Sequence, residues 1–186
     1  MKVIKVTNGP LEQNCYLLVF ENNKTFIIDP GIDYENIKSV VTKNKLKVVA
    51  VLLTHGHFDH IYSAKNFKDD GAKIYITEKD GPKLLDDQLN MGFLYELSPE
   101  PVLPDGFLVE GENEIEGEKF EVIFTPGHTS GSCVILFDKA AFTGDTYFEE
   151  GVYGRTDLLD GSQELIVKSL IKLKPILKDK NIFAGH

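Results

Sequence analysis

Short apolar runs, separated by polar or glycine-containing turns, recur along the whole chain. Many of them are continuously apolar, which is typical of strands that are covered on both faces. The pattern predicts ten strands, at residues 3–6, 15–20, 25–28, 48–53, 73–76, 107–110, 119–124, 133–137, 141–143 and 181–183.

Helical periodicity is rarer and falls between these runs. It predicts helices at residues 34–43, 59–68, 78–86 and 162–173, the last with Ser162 as its N-cap. Because strands outnumber helices, we expect β-sheet layers flanked by helices in one domain that spans residues 1–186.

The stretch 90–106 differs from its surroundings. It carries Pro99, Pro101 and Pro104 together with several large apolar residues. Prolines disfavour a regular element here. We interpret the stretch as a loop, and three roles are open for it: a lid, a subunit contact, or a loop packed against its own core.

Composition narrows the class of partner. The 186 residues are 42% hydrophobic and carry a net charge of −9, with a pI of about 5.0. An acidic chain is a poor binder of nucleic-acid phosphates or of anionic membranes. The charge leaves a small molecule as the expected substrate. Because MKVIKV lacks the apolar stretch of a signal peptide and no run is long enough to span a membrane, we expect a cytoplasmic protein. Cys15 and Cys133 lie in apolar runs, where we expect buried thiols.

Candidate metal ligands share one local pattern. All five histidines lie beyond the end of an apolar run, close to a glycine, as in VLLTHGHFDH, EVIFTPGH and NIFAGH, and AAFTGD delivers an aspartate in the same way. Loops at the carboxyl ends of strands converge over a rigid platform, and glycine permits the sharp bend that this requires. The candidate ligands are His55, His57, Asp59, His60, His128, Asp145 and His186.

These side chains divide into two sets. His55 and His57 point to the same side of an extended segment and form the first set with His128. Asp59, His60 and His186 suit a second ion, and a carboxylate at Asp145 can bridge the two. A set of nitrogen and oxygen donors without thiolate suits two divalent ions, with zinc favoured and iron or manganese as alternatives. The seven candidate ligands are too few to fill the coordination shells of two ions. Positions therefore stay open for water, which is typical of a catalytic site.

The same residues resemble the metallo-β-lactamase superfamily. Its HxHxDH motif is matched by His55, His57, Asp59 and His60, and Asp29-Pro30-Gly31 and the run TPGHTSGS also match. The resemblance extends from NCYLL to the final AGH. It implies an αββα sandwich of the α/β (α+β) class, in which two mixed β-sheets are flanked by helices. Because relatives continue past the last histidine, we expect the chain to continue beyond His186.

Within the superfamily, the chain looks most like short glyoxalase II-type hydrolases. The runs GDTYF at 144–148 and GRTD at 154–157 carry this likeness, although persulfide dioxygenases also contain a GRTD run. The β-lactamases are disfavoured because the chain lacks their metal-site cysteine and has Asp145 as the bridging ligand. Nucleases of the superfamily are disfavoured because they carry added domains and basic surfaces.

The resemblance implies hydrolysis of a thioester or ester by a hydroxide that bridges the two metals. Asp59 would also orient the nucleophile or pass a proton, and Asp29 would orient a ligand histidine, unless it only stabilises its turn. Arg155 and Tyr147 are candidate substrate contacts. The alternatives are an ion pair of Arg155 with Asp157 and ordinary packing of Tyr147. Three other functions stay open: a mononuclear-iron persulfide dioxygenase, an acyl-homoserine-type lactonase, and a non-catalytic metal-binding protein.

Overall fold

Two β-sheets face each other in this computed structural model, which describes residues 1–148 and 151–186. Strands β1 to β6 follow each other in chain order across the first sheet; they are antiparallel from β1 to β3 and parallel from β3 to β6. Their bounds are β1 Lys2–Asn8, β2 Gln13–Val19, β3 Lys24–Ile28, β4 Lys47–Leu52, β5 Lys73–Thr77 and β6 Gly106–Leu108.

The second sheet has the strand order β11-β10-β9-β8-β7. Its neighbours are antiparallel except β10 and β11, which run parallel. The bounds are β7 Gly111–Ile115, β8 Glu118–Phe124, β9 Cys133–Phe137, β10 Ala140–Gly144 and β11 Asn181–Ala184.

Helices cover the outer face of each sheet. Their bounds are α1 Tyr34–Lys43, α2 Phe58–Ile61, α3 Ala64–Asp69 and α4 Gln163–Leu177, and short 3-10 turns occur at Glu21–Asn23, Gly81–Leu84 and Gly92–Tyr95. Two of the helices begin at side-chain caps. The Asp33 carboxylate accepts from Asn36 N–H, and the Ser162 hydroxyl accepts from Leu165 N–H as predicted.

Side-chain alternation along the strands builds three apolar layers. In β2, Leu18 points between the sheets, whereas Leu17 packs outward with α1 and α3. In β9, Ile135 points inward, whereas Val134 packs with Leu173 of α4. The αββα sandwich is thereby confirmed. Cys15 and Cys133 are buried free thiols, as expected.

Three predicted helices differ from the structure, and one strand was not predicted. The helix predicted at 59–68 is split into α2 and α3, because Ser63 N–H donates to Pro30 C=O outside the helix. The helix predicted at 78–86 is wrong: Gly81 and Pro82 permit only a 3-10 turn. Strand β7 was missed because it is a largely polar edge strand. Helix α4 continues to Leu177, past Pro175 in its last turn.

The 90–106 stretch contains one 3-10 turn and no strand or α-helix before β6, as its prolines predict. It is partly packed, since Val102 belongs to the buried cluster beneath α1 and α3. In residues 1–148 and 151–186, no helix has the length and apolar character needed to cross a membrane.

Candidate metal centre

The predicted ligands lie at one edge of the sandwich because their strands end there. His55 follows β4, His128 follows β8, Asp145 follows β10 and His186 follows β11. Strands β8, β10 and β11 run in one direction, since β9 lies antiparallel between β8 and β10 and β11 is parallel to β10. The carboxyl ends of these strands therefore meet the end of β4 across the two sheets.

His55, His57 and His128 form the first donor triad. One ring nitrogen from each lies within 4.8 Å of the others, and all three residues are buried. His57 Nδ1 and His128 Nε2 are 2.8 Å apart. Three imidazole nitrogens at this spacing are a donor set for zinc or a similar ion.

Asp59, His60 and His186 form the second donor triad, also with donor atoms within 4.8 Å of one another. Asp145 lies between the triads. Its Oδ2 is 3.4 Å from His128 Nε2 and 3.6 Å from His186 Nε2, and its Oδ1 is 3.3 Å from His60 Nε2. The structure thus brings all seven predicted ligands together and places Asp145 within reach of both triads.

Four imidazoles are oriented through their Nδ1 atoms, which leaves Nε2 to face the centre. His60 Nδ1 is 3.0 Å from the Asp29 carboxylate, and His55 Nδ1 is 3.1 Å from the Thr54 hydroxyl. His128 Nδ1 lies 2.8 Å from the carbonyl oxygen of Arg155. His186 Nδ1 lies 2.9 Å from that of Leu11. Such contacts fix ring orientation and tautomer at metal sites.

Asp29 is a positioning residue for the loop as well as for His60. Its carboxylate accepts from the backbone N–H of Thr54 at 2.8 Å and from the Thr54 hydroxyl at 2.6 Å. Asp29 is 2% exposed and adopts a left-handed conformation with φ 51°. One carboxylate therefore links the end of β3 to both triads.

The residues fit two cations because their inward-facing atoms are otherwise unsatisfied. The buried atoms His55 Nε2, His60 Nε2 and Asp145 Oδ1 have no hydrogen-bond partner among the residues that the structure describes. Buried polar atoms in folded proteins are nearly always paired. Unpaired donors gathered around shared points are the arrangement that bound metal ions complete.

The two triads differ in charge. Burial and the neighbouring His128 lower the pKa of His57 to about 3, and burial lowers the pKa of His55 well below its usual value. His55 and His57 therefore contribute neutral imidazoles with free lone pairs to the first triad.

The second triad contains the carboxylate of Asp59 and lies beside that of Asp145. Burial raises the pKa of Asp145, but His60 and other histidines outweigh this effect and hold that pKa below its ordinary range. Burial likewise opposes the raised pKa of His60, which Asp145 and Asp59 produce. The ionised carboxylates of Asp59 and Asp145 stabilise positive charge at the second triad.

The GRTD run supports the ligands mainly through its backbone. Gly154 N–H donates to the carbonyl oxygen of Asp145 at 2.8 Å, and a Cβ on Gly154 would lie 2.8 Å from His128 Nδ1. Only glycine allows this close approach. The Arg155 side chain makes the ion pair with Asp157, with Nε–Oδ1 at 2.8 Å and Nη2–Oδ2 at 2.9 Å.

Asp80 is a positioning residue that sequence reasoning missed. It is fully buried, and its carboxylate accepts from Gly56 N–H, Gly131 N–H and the Thr129 hydroxyl at 2.8–3.0 Å. The ammonium of Lys83 lies 3.0 Å away. Asp80 thus joins the loop of His55 and His57 to the loop that follows His128. A signal was present, since Asp80 closely follows β5 as Asp29 follows β3.

A cleft of about 340 Å³ opens over both triads. Besides ligands, it is lined by Leu11, Phe58, Met91, Leu94, Tyr95, Phe148, Tyr153, Gly154, Arg155 and Leu158. The expectation that Tyr147 lies in this cleft is not met. Tyr147 lines another cavity beside α4, with Leu170 and Leu173. The turn after Asp145 instead directs Phe148 into the cleft.

A sequence model of the metallo-beta-lactamase superfamily matches residues 8–186. The chain belongs to this superfamily. The hydroxyacylglutathione hydrolase GloC of Haemophilus influenzae is 35% identical over 204 residues, which cover 100% of this chain and 90% of that protein. Together these likenesses identify a metallo-hydrolase of the metallo-beta-lactamase superfamily whose fold binds a dinuclear metal site.

Solved structures extend the likeness. TTHA1623, crystallised in a di-iron-bound form, has a TM-score of 0.87 and 31% identity, covering 99% of this chain and 92% of that one. The B3 metallo-beta-lactamase BLEG-1 has a TM-score of 0.93 and 29% identity, covering 100% of this chain and 91% of that one. Relatives of one fold thus include proteins named for different reactions, one of them crystallised with two iron ions.

Proposed function

We propose that this metallo-hydrolase cleaves thioesters, or related esters, in the manner of a glyoxalase II-type enzyme. The observation that carries the proposal is the pair of donor triads, joined by Asp145, at the floor of one open cleft. The 35% identity to a hydroxyacylglutathione hydrolase supports the choice of thioesters.

The proposed cofactors are two divalent ions, with zinc as the first choice. His55, His57 and His128 would hold one ion, Asp59, His60 and His186 would hold the other, and Asp145 would contact both. Such ions lower the pKa of a bound water and polarise a carbonyl oxygen. Iron is the main alternative, given the di-iron form of TTHA1623.

The chain's own groups suit release of a thiolate. Asp59 lies at the cleft floor, and His60 and His186 hold the pKa of its carboxylate down although burial acts to raise it. An ionised Asp59 is placed to accept a proton from the attacking water. A thiolate leaves as an anion and needs little protonation, so this reaction does not require a separate acid.

Turnover on a matched panel tests the proposal. Protein loaded with zinc would be offered S-lactoylglutathione, N-acetylcysteamine thioesters, an aryl ester, an acyl-homoserine lactone and a β-lactam. We expect thioesters to give the highest kcat/KM, by at least about tenfold. Absence of thioester and ester hydrolysis from fully loaded protein would reject the proposal, and faster opening of the lactone or β-lactam would replace it.

Metal analysis separates the hydrolase from the dioxygenase alternative. We expect two equivalents of metal per chain after purification. One equivalent of iron, together with oxygen consumption on glutathione persulfide, would identify a persulfide dioxygenase instead. The further proposal of a small-molecule substrate, with no nucleic-acid partner, agrees with the net charge of −9.

A further inference from the structure

One wall of the cleft is apolar and reaches the metal ligands. Leu94 is 53% exposed and Tyr95 is 47% exposed, although both are large apolar or aromatic side chains. The Tyr95 ring stacks on Phe58, with centroids 4.9 Å apart and an interplanar angle of 28°. Because Phe58 stands between His57 and Asp59 in the sequence, this wall begins beside the reacting centre.

The wall is held in place by the ligand motif. Phe58 N–H donates to the carbonyl oxygen of Asn90 at 3.0 Å, and the buried Asn90 side chain accepts from Gly92 N–H at 2.9 Å. Leu97 N–H returns to Gly92 C=O at 3.0 Å and closes the turn. The segment that carries Leu94 and Tyr95 is therefore a built part of the cleft.

The backbone of this segment is strained. Met91, with φ 68°, and Glu96, with φ 55°, bracket the turn in left-handed conformations that non-glycine residues rarely adopt. Strain of this kind persists where the surrounding contacts enforce it, and it is concentrated at ligand-binding sites. Here the strained turn presents Leu94 and Tyr95 to an open cleft, where large exposed apolar side chains indicate a binding surface.

Away from the metal ligands, the described lining residues offer no free cation to an anionic acyl group. Outside the metal-binding histidines, Arg155 is the one cation among the described lining residues, and Asp157 holds it in a two-bond ion pair. A carboxylate on the substrate would have to compete with Asp157 for that guanidinium.

We propose, building on the thioester hydrolysis proposed above, that the substrate carries an apolar, uncharged acyl group that Leu94 and Tyr95 select. The carbonyl lies over the metal ligands, and the acyl chain extends along the wall formed by Phe58, Tyr95 and Leu94. Acylated thiols with aliphatic or aromatic acyl groups are the class of compound that this cleft fits.

An acyl series on one thiol tests the proposal. With N-acetylcysteamine thioesters from acetyl to hexanoyl, we expect kcat/KM of the zinc-loaded protein to rise about threefold for each added methylene. Lactoyl thioesters should fall below their apolar counterparts of equal length. A flat series, or a preference for the lactoyl group, would overturn the proposal.

Substitutions locate the selectivity. Leu94→Ser should lower the hexanoyl rate about tenfold and leave the acetyl rate within about twofold. Tyr95→Ser should act in the same way, whereas Tyr95→Phe should keep the preference. Leu103→Ser is the matched control, because Leu103 lies on the same proline-rich stretch, is 65% exposed and does not line the cleft. Equal effects of Leu94→Ser and Leu103→Ser would contradict the assignment.

A charged analogue decides the role of Arg155. Pentanoyl and succinyl thioesters are similar in length, but only the succinyl group ends in a carboxylate. We expect the pentanoyl compound to be cleaved at least about tenfold faster. Preference for the succinyl compound, lost in Arg155→Gln, would show that Arg155 recognises an anion and would overturn the proposal.

Binding measured by calorimetry tests the apolar acyl site separately from the proposed thioester hydrolysis. If no thioester is hydrolysed, the proposed function fails, and binding of straight-chain carboxylates from acetate to octanoate to the zinc-loaded protein then decides the inference. Tightening with chain length that Leu94→Ser removes would support the apolar acyl site. Equal affinity along the series would overturn it.

Discussion

The two donor triads share a carboxylate but are built differently. His55, His57 and His128 are buried imidazoles, with exposures between 1% and 5%. The second triad includes a carboxylate, and its His186 side chain is 30% exposed. The first triad is thus buried throughout and consists of imidazoles alone, whereas the second includes a carboxylate and a partly exposed histidine.

The contacts that hold the ligands in place also differ between the two triads. The first triad is held by contacts from both sheets, through the Thr54 hydroxyl, the Arg155 carbonyl and the loops that Asp80 joins. In the second, the Nδ1 atom of the partly exposed His186 is held by the Leu11 carbonyl oxygen. We therefore expect the ion at the first triad to be held more tightly, and the ion at the second to exchange more readily with solvent.

Asp145→Asn should weaken both triads together, because Asp145 has carboxylate oxygens within reach of ligands from each triad. The amide keeps the shape but loses the charge and one acceptor oxygen. We expect turnover to fall by about 10³-fold and metal content to drop at both positions. Thermal unfolding would show that the variant is folded.

The matched control is Asp179→Asn, an exposed aspartate beyond α4. It should leave turnover and metal content unchanged. Normal activity of Asp145→Asn with both metals bound would show that Asp145 does not bridge the two triads.

Single-ligand variants should separate the two triads. His57→Ala removes one of three enclosed imidazoles, and we expect loss of one metal equivalent and a fall in turnover of at least about 100-fold even with metal restored. His186→Ala should lower turnover less, because water can replace an exposed ligand.

Dialysis against a graded chelator followed by metal analysis measures this contrast. Undiminished hydrolysis by His57→Ala with metals restored would rule out its assignment as a ligand. The wild-type protein should release its two ions in separate steps if their affinities differ as predicted. Given that result, earlier loss of metal from His57→Ala than from His186→Ala would support the larger contribution of the first triad to metal affinity.

Gly185→Ala should weaken the second triad without changing any ligand. A Cβ at this position would lie 2.1 Å from Asp145 Oδ1 and 2.7 Å from His60 Cε1. We expect affinity for the second ion to fall by about 100-fold while the first ion stays bound. Gly81→Ala is the control, because its Cβ would meet only the ring of Phe107, at 3.1 Å. Equal loss of both ions from Gly185→Ala would contradict the division into two triads.

Much of this site could be predicted from the sequence. Ligands delivered by an apolar run and a glycine, as at His128 and Asp145, lie where the carboxyl ends of strands must converge. The continuously apolar runs also predicted sheet layers with helices outside them. These features depend on local pattern, which a single sequence contains.

The remainder depends on contacts that local pattern does not encode. The strand β7 is too polar to be recognised before its place at a sheet edge is known. The residue that enters the cleft after Asp145 is Phe148 and not Tyr147, because the path of an irregular turn is set by tertiary bonds such as Thr143 Oγ1–H to Tyr147 C=O. Arg155 supports His128 through its carbonyl oxygen, an atom that every residue possesses.

Asp29 and Asp80 allow the smallest predicted difference between the triads to be tested. Each is a buried carboxylate, but each contacts a different part of the site. Asp29 contacts a ligand ring, so Asp29→Asn should lower metal affinity by about 10–100-fold, first at the second triad through His60. Asp80 contacts loop backbone and Lys83, so Asp80→Asn should mainly lower the free energy of unfolding, by about 3 kcal/mol.

Metal titration and denaturant unfolding on the same two variants distinguish these outcomes. If Asp80→Asn loses metal as readily as Asp29→Asn at unchanged stability, loop position controls the ions as strongly as ring orientation does. The buried first triad would then be no more rigid than the more exposed second one. The predicted difference in affinity for the two ions would lose its physical basis.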